Sequence, residues 1–332
     1  MKEALANLAP IPTNLITGFL GVGKTSAILH LLSEKPAEER WAVLINEFGE
    51  IGIDGSLVAG QRSVADGVYI SEVPGGCMCC TAGLPMQIAL NELLKRAEPD
   101  RLLVEPTGLG HPREVLQTLS LDAYRGRLSL QKSLTLVDAR RLVDDRYIAQ
   151  PTFLQQLEVA DVVVANKADL YSDTDHDNFD TFIGAYCRPE TEHIVTSHGV
   201  VSPECLRGAT TAEYGGAAHR HAESAQVLAT DLPMPACGYV SAVNSGEGFE
   251  SIGWRFQPGK VFDRRRLVSF LRGLKIERMK AVFITDDGIF AYNMTTDALQ
   301  EVELDDCLES RVEMIAAEID AEWENTLLSC LA

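Results

Sequence analysis

No stretch of this 332-residue chain approaches the roughly 18–20 consecutive apolar residues needed to cross a bilayer. The opening MKEALANLAPIPTNL lacks a basic head followed by an apolar run, so no secretory signal is expected. Basic residues are scarce: 29 Lys and Arg face 48 Asp and Glu, a formal net charge of −19. That balance argues against a protein that grips nucleic acid or an anionic membrane through its overall field. A disulfide framework is missing too. Of eight cysteines, Cys77, Cys79 and Cys80 crowd into four residues, while Cys187, Cys205, Cys237, Cys307 and Cys330 stand singly. This usage reads as thiol chemistry in a reducing compartment. The absences together lead us to expect a soluble, cytoplasmic chain with neither nucleic acid nor membrane as a partner.

The remaining composition, 46% hydrophobic and 23% charged, is enough to bury a core. At ~100–200 residues per domain the length suggests about two domains. Residues 1–205 alternate short β-rich runs with helical patterns, the sequence form of a mostly parallel α/β sheet covered by helices on both faces. Strands are expected at 12–17, 42–46, 68–73, 101–106, 133–139 and 161–166, and helices at 24–33, 81–97, 113–121, 153–159 and 176–186. Around 206–235 the chain turns small, polar and aperiodic (GATTAEYGGAAHRHAESAQ), as in a linker. Residues 236–332 read as a smaller α+β domain. Its expected strands are 237–246, 254–262, 280–285, 288–294 and 299–304, with a turn at Asp286, Asp287 and Gly288. Its expected helices are 264–274 and 309–331, the latter drawn from the stripe Val312, Ile315, Ala316, Ile319, Trp323 and Leu327.

Directly after the first strand, Gly18-Phe-Leu-Gly21-Val-Gly23-Lys24-Thr25 fits G-x-x-x-x-G-K-[ST] and opens a helix. Glycines at these positions let backbone N–H groups wrap a β-phosphate. Lys24 can reach the β- and γ-phosphates, the Thr25 hydroxyl can ligate Mg²⁺, and Ser26 extends the same helix start. A strand before and a helix after distinguish this loop from a glycine-rich turn that binds nothing. Farther on, a strand runs into Asn166-Lys167-Ala168-Asp169. A carboxylate there can accept from guanine N1–H and N2–H₂, a donor pair that adenine does not present. Asn166 can tie this base loop to the phosphate loop, and the Lys167 stem can cover the base. We therefore expect GTP and GDP as ligands.

The fourth strand delivers Glu105-Pro106-Thr107-Gly108, where a carboxylate can hold a metal-bound water and a glycine N–H can meet a γ-phosphate. Glu47, Glu50 and Asp54 lie in a glycine-rich loop after the second strand, the place for a segment ordered by γ-phosphate and Mg²⁺. Between the third strand and the next helix lies Gly76-Cys77-Met78-Cys79-Cys80. A helix N-terminus stabilises thiolates, and three thiolates suit Zn²⁺ or Cu(I). Three ligands are one short of a structural zinc site, which suits transient holding. The fourth ligand would come from water, a partner or Glu47. A redox pair and a buried hydrophobic role are the competing readings of these thiols.

In this order, the P-loop, Asn46-Glu47-Phe-Gly, Gly-Cys-x-Cys-Cys, Glu-x-Thr-Gly and Asn-Lys-x-Asp resemble the CobW-like family of metal-chaperone GTPases, from about Asn14 to Leu170. The likeness continues more weakly through Trp254-Arg-Phe and Glu277-Arg-Met-Lys-Ala-Val-Phe. The resemblance implies a GTPase of low intrinsic rate that binds zinc, or sometimes cobalt, at Cys77, Cys79 and Cys80 with Glu47. It implies delivery of that ion to a client metalloprotein under nucleotide control. It assigns Lys24, Thr25, Glu105 and Asp169 to the nucleotide, with Lys24 and Glu105 serving hydrolysis. Two features depart from the family: only His219-Arg-His221 stands where many members carry a long His-rich tract, and His111 replaces the more usual Asp. The rival reading is a regulatory GTPase, or a metalloenzyme activator, whose thiols sense redox state and deliver nothing.

The acidity is unevenly spread. Residues 297–324 hold eleven acidic side chains against Arg311, a local net of −10, whereas residues 255–280 hold nine basic against two acidic, a net of +7. Solvated faces with pairing inside the domain are the favoured explanation. Steering of a client, or a self-complementary contact in a homo-oligomer, is the sharper one.

Overall fold

Strand β1 (Ile11–Gly18) has six consecutive buried residues after its first two. A strand buried on both faces needs covering layers on both sides, which is the condition for a parallel α/β sheet. The computed structural model describes residues 9–45, 67–73, 84–108, 110–213, 233–246, 248–304, 307 and 309–332. Two compact units divide the chain between residues 222 and 223.

In the first unit β1 is joined by β2 (Trp41–Ile45), β3 (Val68–Glu72), β4 (Arg101–Glu105), β5 (Leu128–Leu130), β6 (Leu134–Val137), β7 (Val162–Ala165) and β8 (Glu192–Val195). These eight strands form one sheet in the order β3-β2-β4-β1-β6-β7-β8. Every pairing is parallel, with β5 beside the first half of β1 and β6 beside its second half. The helices are α1 (Lys24–Ser33), α2 (Leu84–Ala97), α3 (Pro112–Leu119), α4 (Asp145–Ile148), α5 (Pro151–Glu158) and α6 (Asp173–Tyr186). Leu90, Leu93 and Leu94 of α2 and Val115, Leu116 and Leu119 of α3 share a core with Leu44, Leu102 and Val104 of the sheet. From β1 the chain first builds strands on one side and later those on the other. The order thus reverses at β1, and sheets of this kind bind ligands beyond the carboxyl ends of the strands at such a point.

The expected connector begins with residues that the first unit holds. Asn14 Nδ2 in β1 donates to the carbonyls of Leu206 and Lys132, both at 2.8 Å. Gly208 O accepts from Lys132 N at 2.9 Å, and Ala209 bridges to Gln131. Thr210 and Thr211 then converge on Asp161, which is 4% exposed at the foot of β7. Its Oδ1 accepts from Thr211 N (2.8 Å) and Thr211 Oγ1 (2.7 Å), and its Oδ2 from Ser133 N (2.8 Å) and Thr210 Oγ1 (2.7 Å). Arg188 Nη2 adds an ion pair at 3.3 Å. Burial alone would raise the Asp161 pKa, but the hydrogen bonds from Ser133 and Thr211 outweigh it and hold the carboxyl below its ordinary value.

The second unit is a six-stranded antiparallel sheet in the order β13-β12-β11-β14-β10-β9. Its strands are β9 (Tyr239–Gly246), β10 (Phe249–Phe256), β11 (Arg278–Thr285), β12 (Gly288–Thr295), β13 (Leu299–Leu304) and β14 (Ser310–Ala316). Helices α7 (Arg264–Gly273) and α8 (Glu322–Ser329) contribute Leu267, Leu271 and Leu327 to a core with Trp254, Phe256, Phe283 and Val312. Oppositely charged segments do meet within the unit. Arg255 Nε reaches Glu309 at 2.8 Å, and Arg264 reaches Glu301 at 2.6 Å and Asp287 at 3.0 Å.

The expected helix at 309–331 is corrected by the structure: its first part is β14, and only Glu322–Ser329 is helical. β14 lies between β11 and β10 and buries six of its seven residues. Arg311, Val312, Glu313 and Met314 do alternate as a strand would, but Val312, Ile315, Ala316 and Ile319 also fit the longer helical spacing that runs on to Leu327. The strand expected at 254–262 instead spans Phe249–Phe256. Three short elements escaped the sequence reading altogether, β5, β8 and α4.

Candidate functional site

The phosphate loop leaves β1 at Gly18 and enters α1 at Lys24. Its apex is fixed from below by apolar anchors. Phe19 is 1% exposed and packs edge-on against Tyr147 (centroids 4.8 Å apart) and Phe153 (6.2 Å), while Leu20 and Val22 are also buried. Gly23 caps α1 in the left-handed region, with φ 98°, and no side chain caps the helix start. With the start of α1 free of a side-chain cap, the helix dipole favours an anion there. A Cβ on Gly23 would lie 2.4 Å from Asn166 Nδ2, so the position tolerates only glycine. Gly21 also has positive φ, Thr25 is half-buried and Ser26 is exposed.

Lys24 is 6% exposed, and its Nζ donates to the carbonyls of Gly18 (2.9 Å) and Phe19 (3.1 Å). The ammonium is thus drawn across the loop that would enclose a phosphate. Glu105, at the carboxyl end of β4, is 3% exposed. It follows Val104, which is in register with Leu15, so the carboxylate lies beside the strand that feeds the loop. A buried carboxylate and a hydroxyl at a phosphate loop form an all-oxygen donor set suited to a hard cation such as Mg²⁺. Gly108 closes this side. A Cβ on it would come within 2.8 Å of Leu20 Cδ2 and 2.9 Å of Leu20 N, so the Glu105–Gly108 turn lies directly on the phosphate loop.

The base side is built at the ends of β7 and β8. Asn166 is 2% exposed. Its Nδ2 donates to Val22 O at 2.9 Å, and its Oδ1 accepts from Gly199 N at 2.9 Å. Lys167 adopts a left-handed conformation, with φ 66° and ψ 32°. Its ammonium lies 3.8 Å from the buried Asp138, which also pairs with Arg140 at 2.6 Å. Asp169 is exposed, and its N–H donates to Ser197 Oγ at 3.0 Å. The Tyr171 hydroxyl donates to Asn166 O and accepts from Ala139 N at 2.9 Å. Burial raises its pKa, so it stays a neutral donor.

The phosphate loop thus meets Gly108 through Leu20 and Asn166 through Val22, and Lys167 and Asp169 follow Asn166 in the chain. Residues 196–199, after β8, were missed by the sequence reading. They carry no conspicuous motif, yet Ser197 and Gly199 hold Asp169 and Asn166. Gln156 was missed as well. It is buried in α5, and its Nε2 donates to Gly108 O at 3.0 Å. His111 is the N-terminal cap residue of α3, with no capping bond from its side chain. Cys77, Cys79, Cys80 and Glu47 lie outside the described residues, as do Glu50, Asp54, His219 and His221. Among the described residues no cluster of three or more His, Cys, Asp or Glu could hold a metal ion. No described helix is long and apolar enough to cross a membrane.

Comparison with known proteins follows the same outline. Residues 12–190 match the model of the CobW/HypB/UreG nucleotide-binding domain. The zinc chaperone YeiR of Escherichia coli (strain K12) is 39% identical over 325 residues, covering 96% of each chain. The zinc chaperone YjiA of the same organism is 35% identical over 168 residues, 48% of this chain and 50% of that one. In Schizosaccharomyces pombe, the zinc-regulated GTPase metalloprotein activator 1 is 32% identical over 173 residues, 50% of this chain and 41% of its own. The crystal structure of Zn(II)-bound YjiA GTPase aligns over 97% of this chain and 99% of that one. At 18% identity and a TM-score of 0.43, that likeness is too loose to carry an argument. With more than half of its length matched by the family model and a relative aligned from end to end, the chain belongs to the CobW/HypB/UreG family of P-loop nucleotide-binding proteins.

Proposed function

We propose that the protein is a GTP-binding and GTP-hydrolysing metallochaperone that holds Zn²⁺, or a related ion such as Co²⁺, and passes it to a client metalloprotein under nucleotide control. The observation that carries the nucleotide half is Asn166, which joins the phosphate loop at Val22 to the base-side loop at Gly199. One side chain thereby couples the two surfaces that a guanine nucleotide has to touch together. In this reading the N–H groups of Gly18–Thr25 cradle the phosphates and Lys24 neutralises them. Asp169 accepts from the guanine edge, and Lys167 covers the ring. Thr25 and Glu105 supply the oxygens for Mg²⁺, whose charge offsets that of the phosphates when it is bound. Gly108 N–H faces the γ-phosphate.

The metal half is supported by the Gly-Cys-x-Cys-Cys motif between β3 and α2 and by the names of the relatives, zinc chaperones among them. Cys77, Cys79 and Cys80 with Glu47 are the proposed ligands. The three cysteines are bracketed in sequence by the two segments, around Glu47 and Gly108, that would sense the γ-phosphate. A change of nucleotide would therefore change the geometry offered to the ion. A competition titration tests the coupling. The GTP and GDP forms of the full chain should differ in Zn²⁺ affinity, and Cys79→Ala should abolish the difference; equal affinities in the two forms refute the coupling. A second reading, activation of a metalloenzyme without metal delivery, is supported by the activator name of the Schizosaccharomyces pombe relative. Protein purified anaerobically with nucleotide but without bound metal would favour it.

A further inference from the structure

We propose that Gln156 is a positioning residue for the Gly108 turn, fixing the backbone that reads the γ-phosphate; the inference rests on the nucleotide reading above. Gln156 is fully buried in α5, 48 residues along the chain from the Gly108 it contacts. Its main chain is held by β6, where Thr135 Oγ1 donates to Gln156 O at 2.7 Å. Its side chain reaches the other way, Nε2 donating to Gly108 O at 3.0 Å inside the protein. Its Oε1 is buried with no hydrogen-bond partner among the described residues.

A buried amide with an idle acceptor costs stability, and a methionine of similar volume would fill the space without that acceptor, though it would take the donor from Gly108 O. Packing therefore does not account for an amide at this position. What the amide adds is a tether on a glycine, the residue whose backbone is freest to turn. Gly108 has no room for a side chain beside Leu20, and its carbonyl is held by Gln156, which restrains the peptide unit that follows its Cα. A donor aimed in advance at developing charge stabilises a transition state without reorganising. GDP has no γ-phosphate, so the tether should matter for the triphosphate and its hydrolysis and little for the diphosphate.

The test compares full-length wild type with Gln156→Met, which keeps the volume but loses the donor. Gln156→Glu is the second variant, because its carboxyl can donate to Gly108 O only while protonated, a form that burial favours. Fluorescent-GDP affinity, single-turnover GTP hydrolysis from about pH 6 to 9 and thermal unfolding are measured on all three. The Met variant should keep GDP affinity within about threefold and lose at least about tenfold in hydrolysis rate. The Glu variant should regain rate relative to wild type as the pH falls. A Met variant as fast as wild type overturns the inference, as does a Glu variant whose rate deficit is independent of pH and matched by its loss of GDP affinity. A wild-type chain that binds no guanine nucleotide overturns the nucleotide reading and this inference with it, whereas an active wild type beside an equally active Met variant overturns this one alone.

Discussion

Replacing Asp161 should release Thr210 and Thr211 from the first unit and loosen the foot of β7. Its two oxygens accept from two main-chain N–H groups, Ser133 and Thr211, and from two threonine hydroxyls. The hydroxyls can rotate toward other acceptors, but the two N–H groups cannot. Leaving each unsatisfied in a buried position costs about 1–3 kcal/mol. Asp161→Ala should therefore destabilise the first unit by about 3–5 kcal/mol, within the range for removing one member of a buried charged cluster. Asp161→Asn is the sharper probe. Whichever way the amide is turned, its NH₂ faces one main-chain N–H, so it should lose about 2 kcal/mol. Urea unfolding gives the free energy, and hydrogen exchange at Thr211 and Ser133 gives the location. The sign with pH follows from the depressed carboxyl pKa of the folded state. The stabilisation is full above the unfolded Asp value of about 4 and is lost as the pH falls through the lower folded value, so the wild-type advantage over Asn should shrink there. An Asn variant as stable as wild type at neutral pH, with unchanged protection at Thr211, would refute the reasoning.

The nucleotide site yields two further expectations. Asn166→Ala removes the acceptor of Gly199 N and the donor to Val22 O, both buried; GDP affinity measured by fluorescence titration should fall at least about tenfold, at a stability cost of about 2–4 kcal/mol. Unchanged affinity would show that the phosphate and base loops bind independently. Gly108→Ala drives a methyl into Leu20 and should destabilise by about 1–3 kcal/mol, as overpacking does, while slowing GTP turnover more than it weakens GDP binding. Equal effects on both would place the damage in the phosphate loop instead.

The nucleotide half of the site was legible because its residues come in short contiguous motifs whose spacing is set by backbone geometry. Gly18 to Thr25 announce a turn from strand to helix, and Asn166 to Asp169 announce a strand end, with no need to know what lies opposite. Gln156 and Ser197 were not legible for the converse reason. Each acts across the fold on a residue far away in sequence, and nothing in its own neighbourhood marks it. The parallel sheet announced itself through doubly buried runs such as Val162–Ala165. In the second unit the short alternation of β14 was masked because its apolar residues continue at helical spacing into α8. Asp161 looked like an ordinary strand-start acid. Its partners, Thr210 and Thr211, belong to a stretch whose composition reads as linker, because small polar residues can hydrogen-bond a buried carboxylate as readily as water.

The position of β14 also bears on how the second unit is acquired. Without it, β9 and β10 form a single hairpin and β11, β12 and β13 a separate meander, and among the described residues no other strand pairing joins the two. β14 pairs with β10 on one edge and with β11 on the other, so a segment near the end of the sequence is the keystone of the sheet. A chain made from its N-terminus carries both fragments with open edges until residues 310–316 are available, and a lone hairpin is marginal in water. Those edges invite pairing with other chains in the interval. Insertion of one late strand closes both at once, so this unit should complete its fold only after nearly all of its residues have been synthesised.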